Sequence, residues 1–180
     1  RLGLHLAGSL MLVDQDEAAK RFPAVYDAVA ATWPGFLSRS PKAWEMVLAD
    51  LEHWRDGRTA SRHAVYEEGG ETLGYLRYQT KGTWVEGHAQ NELKVLELVG
   101  VTPAAEAALW RFCFSVDLLT EITTDARPTV ELLHVLLADP RRLKVTRGDG
   151  LWARLLDVPA ALSRRRYSTS GRLTIGVRDP

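Results

Sequence analysis

The residues able to do chemistry are few and far apart. Asp149 stands in "TRGDGLW", Thr146 to Trp152. There Arg147-Gly148-Asp149 is the tripeptide that integrins bind, and Asp149-Gly150 is a tight-turn signal between two apolar runs. The integrin reading fails for lack of a secretory-type segment or a disulfide framework. Cys113 would need a neighbouring base to act as a nucleophile. It falls off the clearest apolar stripe of its helix with no such partner, and reads as a plain thiol. His5, His53, His63, His88 and His134 show no metal-ligand spacing and read as surface or satisfied interior side chains. Trp33, Trp44, Trp54, Trp84, Trp110 and Trp152 could stack on a ligand, but packing in cores and interfaces is the ordinary use of tryptophan. Arg164-Arg165-Arg166 could touch phosphates. At the end of a short helix they more simply complement its dipole or pair across a domain interface.

Composition narrows the classes. The chain has 180 residues, enough for one well-buried domain and a small extra piece. It is 46% hydrophobic and 26% charged, the balance of an ordinary globular domain. Lys plus Arg (23) equals Asp plus Glu (23), so no net field favours nucleic acid or an anionic membrane. One cysteine excludes an internal disulfide and cysteine-based zinc, and fits a reducing, cytoplasmic setting. No apolar run is long enough to span a bilayer. The first residue is Arg1, and the chain ends "GRLTIGVRDP" just after a strand-like run, so a segment of a larger protein is expected.

The elements that must position these residues follow from pattern. Ser9 to Asp14 predicts a strand. Pro23 to Thr32 predicts a helix with Pro23 in its first turn. Ser40 caps a second helix begun by Pro41, with Trp44, Val47, Leu48 and Leu51 on one face. "RHAVYEE" turns at Gly69-Gly70 into "TLGYLRYQT", and "ELKVLELVGV" is a third, more apolar strand. Residues 81–91 read as a loop. Thr102 and Pro103 open the clearest helix, with Ala105, Leu109, Phe112 and Val116 on one face. "TEITTD" is a short strand and "TVELLHVLLAD" a helix stopped by Pro140. "LKVT" and "LWARLLD" are strands around "RGDG"; "VPAALSRRR" is a short helix and "GRLTIGV" a last strand.

This order predicts an α/β (α+β) fold: a mixed, mostly antiparallel sheet with helices on both faces. The first eleven elements have the order of the GNAT N-acetyltransferase fold. In that fold acetyl-CoA lies between two splayed strands, and its pyrophosphate rests on backbone N–H groups at the start of the following helix. The corresponding stretch, "LVGVTPAAEAALW", has one glycine, Gly100, and no basic residue. Pro103 lacks an N–H, Thr102 occupies another as a cap, and the Glu106 carboxylate would repel phosphate. The cofactor loop is therefore degenerate, and no cofactor-binding or metal residue is expected here.

From about Pro23 onward the chain resembles the Eis-type ("enhanced intracellular survival") N-acetyltransferases. The matching segments are "VYDAVAATWPGFLSR", "ELVGVTPAAEAALWRFCFSVDLLTEI", "LLADPRRLKVT" and "DGLWARLLDVPAALSRRRY". That family has a cofactor-binding GNAT domain, a central GNAT-like domain without the cofactor motif, and a sterol-carrier-like C-terminal domain. The resemblance implies that residues 1–12 end the first, residues 13–157 are the second and residues 158–180 begin the third. It further implies acetyl transfer from acetyl-CoA, bound outside this segment, to amines such as aminoglycosides or lysine side chains. It implies a homo-oligomer, hexameric in studied members, and no catalytic residue in this chain. None of Tyr26, Tyr66, Tyr75, Tyr78 or Tyr167 sits in the family's general-acid motif. One family position does map: the aspartate bordering the amine pocket matches Asp149, where a carboxylate would pair with an ammonium. The tryptophan that can sit three residues earlier is Thr146 here. A self-contained atypical GNAT enzyme and a non-enzymatic interaction module are the alternatives.

Overall fold

The computed structural model describes residues 7–33 and 35–176, together with Arg178. The chain divides into two compact units, Arg1–Leu143 and Lys144–Pro180.

The first unit is built on a five-stranded sheet of order β1-β2-β3-β6-β7. Its strands are β1 (Ser9–Val13), β2 (Arg62–Glu68), β3 (Glu71–Lys81), β6 (Asn91–Gly100) and β7 (Leu119–Thr124). All neighbours are antiparallel except β6 and β7, which run parallel. This is the mixed, mostly antiparallel sheet that the element order predicts. The expected 81–91 loop carries a two-stranded hairpin, β4 (Trp84–Val85) with β5 (His88–Ala89). Glu86 and Gly87 both have positive φ at its turn, as such tight hairpins require.

Helices cover both faces. On one lie α1 (Gln15–Ala30) and α2 (Pro41–Leu48), whose Ala18, Phe22, Val25, Tyr26, Trp44 and Leu48 pack on Val65, Tyr75 and Val99. On the other lie α3 (Pro103–Ser115) and the single turn α4 (Leu133–Leu136), against Ala64, Tyr66, Leu76, Leu93 and Leu98. The two sets alternate along each strand, as a sheet covered on both sides demands. Helix α1 starts earlier than Pro23 suggests. The Asp14 carboxylate caps it by accepting the Glu17 N–H at 2.8 Å, and Pro23 lies inside the helix. Burial of Ala18 and Phe22 carries the helix through the missing Pro23 N–H. Leu51, expected on the α2 face, lies beyond the end of that helix and is exposed.

Cys113 is fully buried, contrary to its expected place off the stripe. Helix α3 is covered on more than one side, so its buried stripe spans Ala105, Leu109 and Cys113 as well as Ala108 and Trp110. Burial pushes the thiol up to about 12, so Cys113 is an inert packing residue. Of the six tryptophans, Trp44 and Trp110 are buried, while Trp33, Trp54, Trp84 and Trp152 are exposed.

His63 of β2 is buried between its register partners Val13 and Arg77, with Phe22 edge-on at 5.8 Å. Burial first, then the Arg77 charge, holds its pKa below the usual 6.5, against the pull of Asp50 and Asp14. The folded state therefore takes up fewer protons than the unfolded chain below that value. Its stability falls as pH drops through 6.5. His63→Gln is expected to flatten the stability profile between neutral and mildly acidic pH, removing a slope of at most about 1.4 kcal/mol per pH unit. Urea titrations at stepped pH measure this.

The second unit differs from expectation. "LKVT", "LWARLLD" and "GRLTIGV" form no strands among their described residues, and Val177 lies outside those residues. Alternating apolar residues are not enough without a paired neighbour to take the backbone hydrogen bonds. The regular element in this unit is α5 (Val158–Arg164), capped by Asp157, which accepts the Ala160 N–H at 2.9 Å.

Candidate functional site

Strand β7 is paired with β6 along its whole length, from Asn91↔Leu119 to Val95↔Thr124, and ends there, while β6 runs on to Gly100. Beyond that point the β6 carbonyls lack a β7 partner. Leu96 bulges from β6, since Arg77 pairs with Glu97 and Tyr78 with Val95. A parallel strand that outruns its neighbour beside a helix N-terminus leaves a place that could hold an extended, phosphate-bearing ligand.

Here the protein's own side chains fill it. Arg127, from the segment after β7, donates from Nη1 to the Leu98 carbonyl at 2.6 Å. Its Nε donates to Glu131 at 2.6 Å, and its Nη2 bonds Glu106 in the first turn of α3. The guanidinium also lies 5.4 Å from the Trp110 ring centroid. Arg127 is only 15% exposed. Two carboxylates facing one guanidinium leave Glu106 above the usual carboxylate range; burial is the main cause, Arg127 opposes it and Glu131 adds to it.

The start of α3 is closed as well. Pro103 has no N–H. The Ala105 N–H is taken by the Thr102 hydroxyl at 3.1 Å, Glu106 N–H by the Thr102 carbonyl at 3.0 Å, and Val101 N–H by Leu73 at 2.8 Å. A Cβ on Gly100 would stand 2.6 Å from the Glu106 nitrogen, so this glycine serves close strand–helix packing rather than approach to a phosphate. These residues do not fit acetyl-CoA: Pro103 has no N–H, the Val101, Ala105 and Glu106 N–H groups are engaged within the protein, and a carboxylate–guanidinium cluster stands beside the end of β6. Sequence reasoning identified Thr102, Pro103 and Glu106 as obstacles but missed Arg127. Its partners Leu98, Glu106 and Glu131 lie 29, 21 and 4 residues away, and only the 4-residue spacing to Glu131 was visible.

Asp149 lies in the second unit, exposed, in a stretch without regular structure. The expected hairpin turn does not form. Neither Gly148 nor Gly150 has positive φ, and neither flanking strand is present. Thr146 and Trp152 are also exposed, Trp152 by 82%. No group of three or more His, Cys, Asp or Glu able to hold a metal occurs among the described residues. No helix among them is long and apolar enough to cross a membrane.

Comparison with known proteins agrees with this architecture. An N-acetyltransferase of Streptomyces avermitilis is 37% identical over 175 residues, covering 96% of this chain and 42% of that protein. The N-acetyltransferase Eis of Mycobacterium tuberculosis is 33% identical over 161 residues, covering 89% of this chain and 37% of that protein. The crystal structure of Eis1 from Mycobacterium abscessus superposes with a TM-score of 0.65 at 28% identity, covering 87% of this chain and 38% of that one. The chain thus spans about two fifths of the length of these relatives. The family described as acetyltransferase (GNAT) domain matches residues 35–162. With the parallel β6–β7 pair, the β6 bulge and helices on both faces already in place, this match shows that the chain belongs to the GNAT acetyltransferase family.

Proposed function

We propose that this chain is the central, Eis-like domain of a longer acetyl-CoA-dependent N-acetyltransferase, serving as scaffold and pocket wall and not as the cofactor site. The observation that carries this is the closed cleft: Arg127, Glu106 and Glu131 stand where the fold would take its cofactor. In this reading the acceptors are amines of the aminoglycoside or lysine type. The partners are a flanking acetyltransferase domain and a sterol-carrier-like domain, and the assembled enzyme is a cytoplasmic homo-oligomer. Calorimetry of residues 1–180 against acetyl-CoA is expected to show no binding, with activity present only in the longer parent chain. Micromolar binding to this segment would sink the proposal.

A second reading, a self-contained enzyme with an atypical cofactor loop, draws on the bulge at Leu96 and the end of β6 that runs past β7, both kept intact. It requires Arg127 to leave the cleft when the cofactor enters, and acetyl transfer by residues 1–180 alone would favour it.

Asp149 is the position in this chain proposed to face the amine. Asp149→Ala in the intact enzyme is expected to weaken acceptor binding by about 1–3 kcal/mol, the loss of a charge-assisted contact, while leaving acetyl-CoA binding nearly unchanged. Equal losses for both ligands would leave Asp149 with a local backbone role only.

A further inference from the structure

The face of the sheet opposite the cofactor cleft carries a second arrangement with the form of a binding site. Tyr26 of α1 and Trp44 of α2 meet edge to face, with centroids 5.6 Å apart at 89°. Together they make two walls of a corner. Both are buried, and the Tyr26 hydroxyl is fixed by donating to the Leu37 carbonyl at 2.8 Å. Glu97, the residue after the β6 bulge, closes the third side. The corner holds a guanidinium. Arg39 lies 3.8 Å from the Tyr26 centroid and 4.7 Å from that of Trp44. It meets Glu97 through a two-pronged pair, Nη1 to Oε2 at 3.1 Å and Nη2 to Oε1 at 2.6 Å. Two aromatic faces and an in-plane carboxylate are the chemistry that selects a flat, forked cation over a rounded ammonium.

Arg39 is a poor fixture for such a site. It comes from the connection between α1 and α2, not from a helix or strand, so its departure would break no backbone hydrogen bond of either helix. The corner borders a groove that its occupant also lines. Arg39 and Trp44, but not Tyr26 or Glu97, line a groove of about 500 Å³ between α1 and α2, so the Arg39 side chain stands between the groove and the rest of the corner. The groove's rim carries three carboxylates, Asp16, Asp27 and Glu45, whose exposed side chains form no ion pair among the described residues. The groove is complementary to positive charge, and it meets the corner at Arg39 and Trp44.

We propose that Tyr26, Trp44 and Glu97 form a guanidinium-recognition site of which Arg39 is the built-in occupant. The acidic groove above it admits a ligand bearing a guanidinium and a second positive charge, and that guanidinium displaces Arg39. The proposal is independent of the role assigned to the chain in acetyl transfer.

Agmatine, which carries a guanidinium and a primary amine, is a suitable probe, with 1,5-diaminopentane as the ammonium-only control. Calorimetry and tryptophan fluorescence on the full 180-residue chain measure binding. The unsubstituted chain is expected to bind agmatine weakly, in the millimolar range, and Arg39→Ala at least about tenfold more tightly. Adding Glu97→Gln to that variant is expected to abolish the gain, and the diamine is expected to show none of it. Absence of millimolar binding to the unsubstituted chain would overturn the displacement. Arg39→Ala binding agmatine no more tightly, or Glu97→Gln leaving the gain intact, would reduce the groove to a patch of attracting charge. Should Arg39→Ala fail to fold, Arg39→Lys decides the matter. It keeps the charge but loses the fork, so agmatine should raise its thermal midpoint more than that of the unsubstituted chain. No such rise overturns the proposal.

Discussion

Arg127→Ala is expected to destabilise the chain by about 3–5 kcal/mol, the loss seen when one partner of a buried charge cluster is removed. The Glu106 and Glu131 carboxylates and the Leu98 carbonyl would all lose their donor at once. The size of the effect comes from what is stranded, not from the net worth of the cluster, which burial of three charges keeps small. Its pH dependence has a definite sign. Glu106 already has a folded pKa raised above 4.5, so the folded state binds its proton more tightly than the unfolded chain does. Its contribution to stability therefore grows as pH falls from neutral through the raised value towards 4.5. Removing Arg127 removes the opposing charge and raises that pKa further. The deficit of the variant should shrink in mildly acid buffer. Urea unfolding at neutral and acid pH tests both statements. A deficit that does not change with pH would mean the carboxylates find solvent when Arg127 is gone.

Gly100→Ala is expected to cost about 3 kcal/mol, the upper end for overpacking a close contact. Gly100 does not have positive φ, so alanine suits its backbone. The cost is steric. The new Cβ would stand 2.6 Å from the Glu106 nitrogen and 3.0 Å from its Cα. These are backbone atoms at the start of a capped helix and have nowhere to move without shifting α3. The gain of about 0.4–1 kcal/mol from a stiffer unfolded chain offsets only part of this. Thermal melts give the sum. The same contact means that loss of activity after substitution at Gly100 would not diagnose a phosphate loop, because packing fails first.

Strand β2 and helix α3 were legible because local signals agree with tertiary placement. "RHAVYEE" centres on Val65 and Tyr66 and ends at the Gly69-Gly70 turn, and Thr102-Pro103 is a cap and first residue that work in any context. Helix α1 was half legible. Pro23 reads as a beginning because a proline inside a helix is normally too costly, and only burial of Ala18 and Phe22 shows why this one is tolerated. "LWARLLD" has the composition of a strand but no neighbour to pair with, and composition cannot supply a neighbour. The candidate sites divide the same way. The loss of the phosphate cradle is written in consecutive residues and could be read. Arg127 and Arg39 act on residues 29 and 58 positions away, where only the early end of β7 beside β6 and the meeting of α1, α2 and β6 bring them into range.

Gly74 and Gly100 face each other across β3 and β6 as register partners under the same helix. A Cβ at Gly74 would meet Leu109 and Ala105 at 3.1 and 3.3 Å, on the helix that Gly100 meets at its first turn. The depth of α3 on the sheet is thus set jointly by two missing side chains. Once one alanine has lifted the helix, the second finds room already made. The two substitutions should therefore be strongly non-additive, with the double replacement less damaging than the sum of the single ones. A larger residue at either position lowers the barrier to change at the other, so the pair can drift together where neither can drift alone.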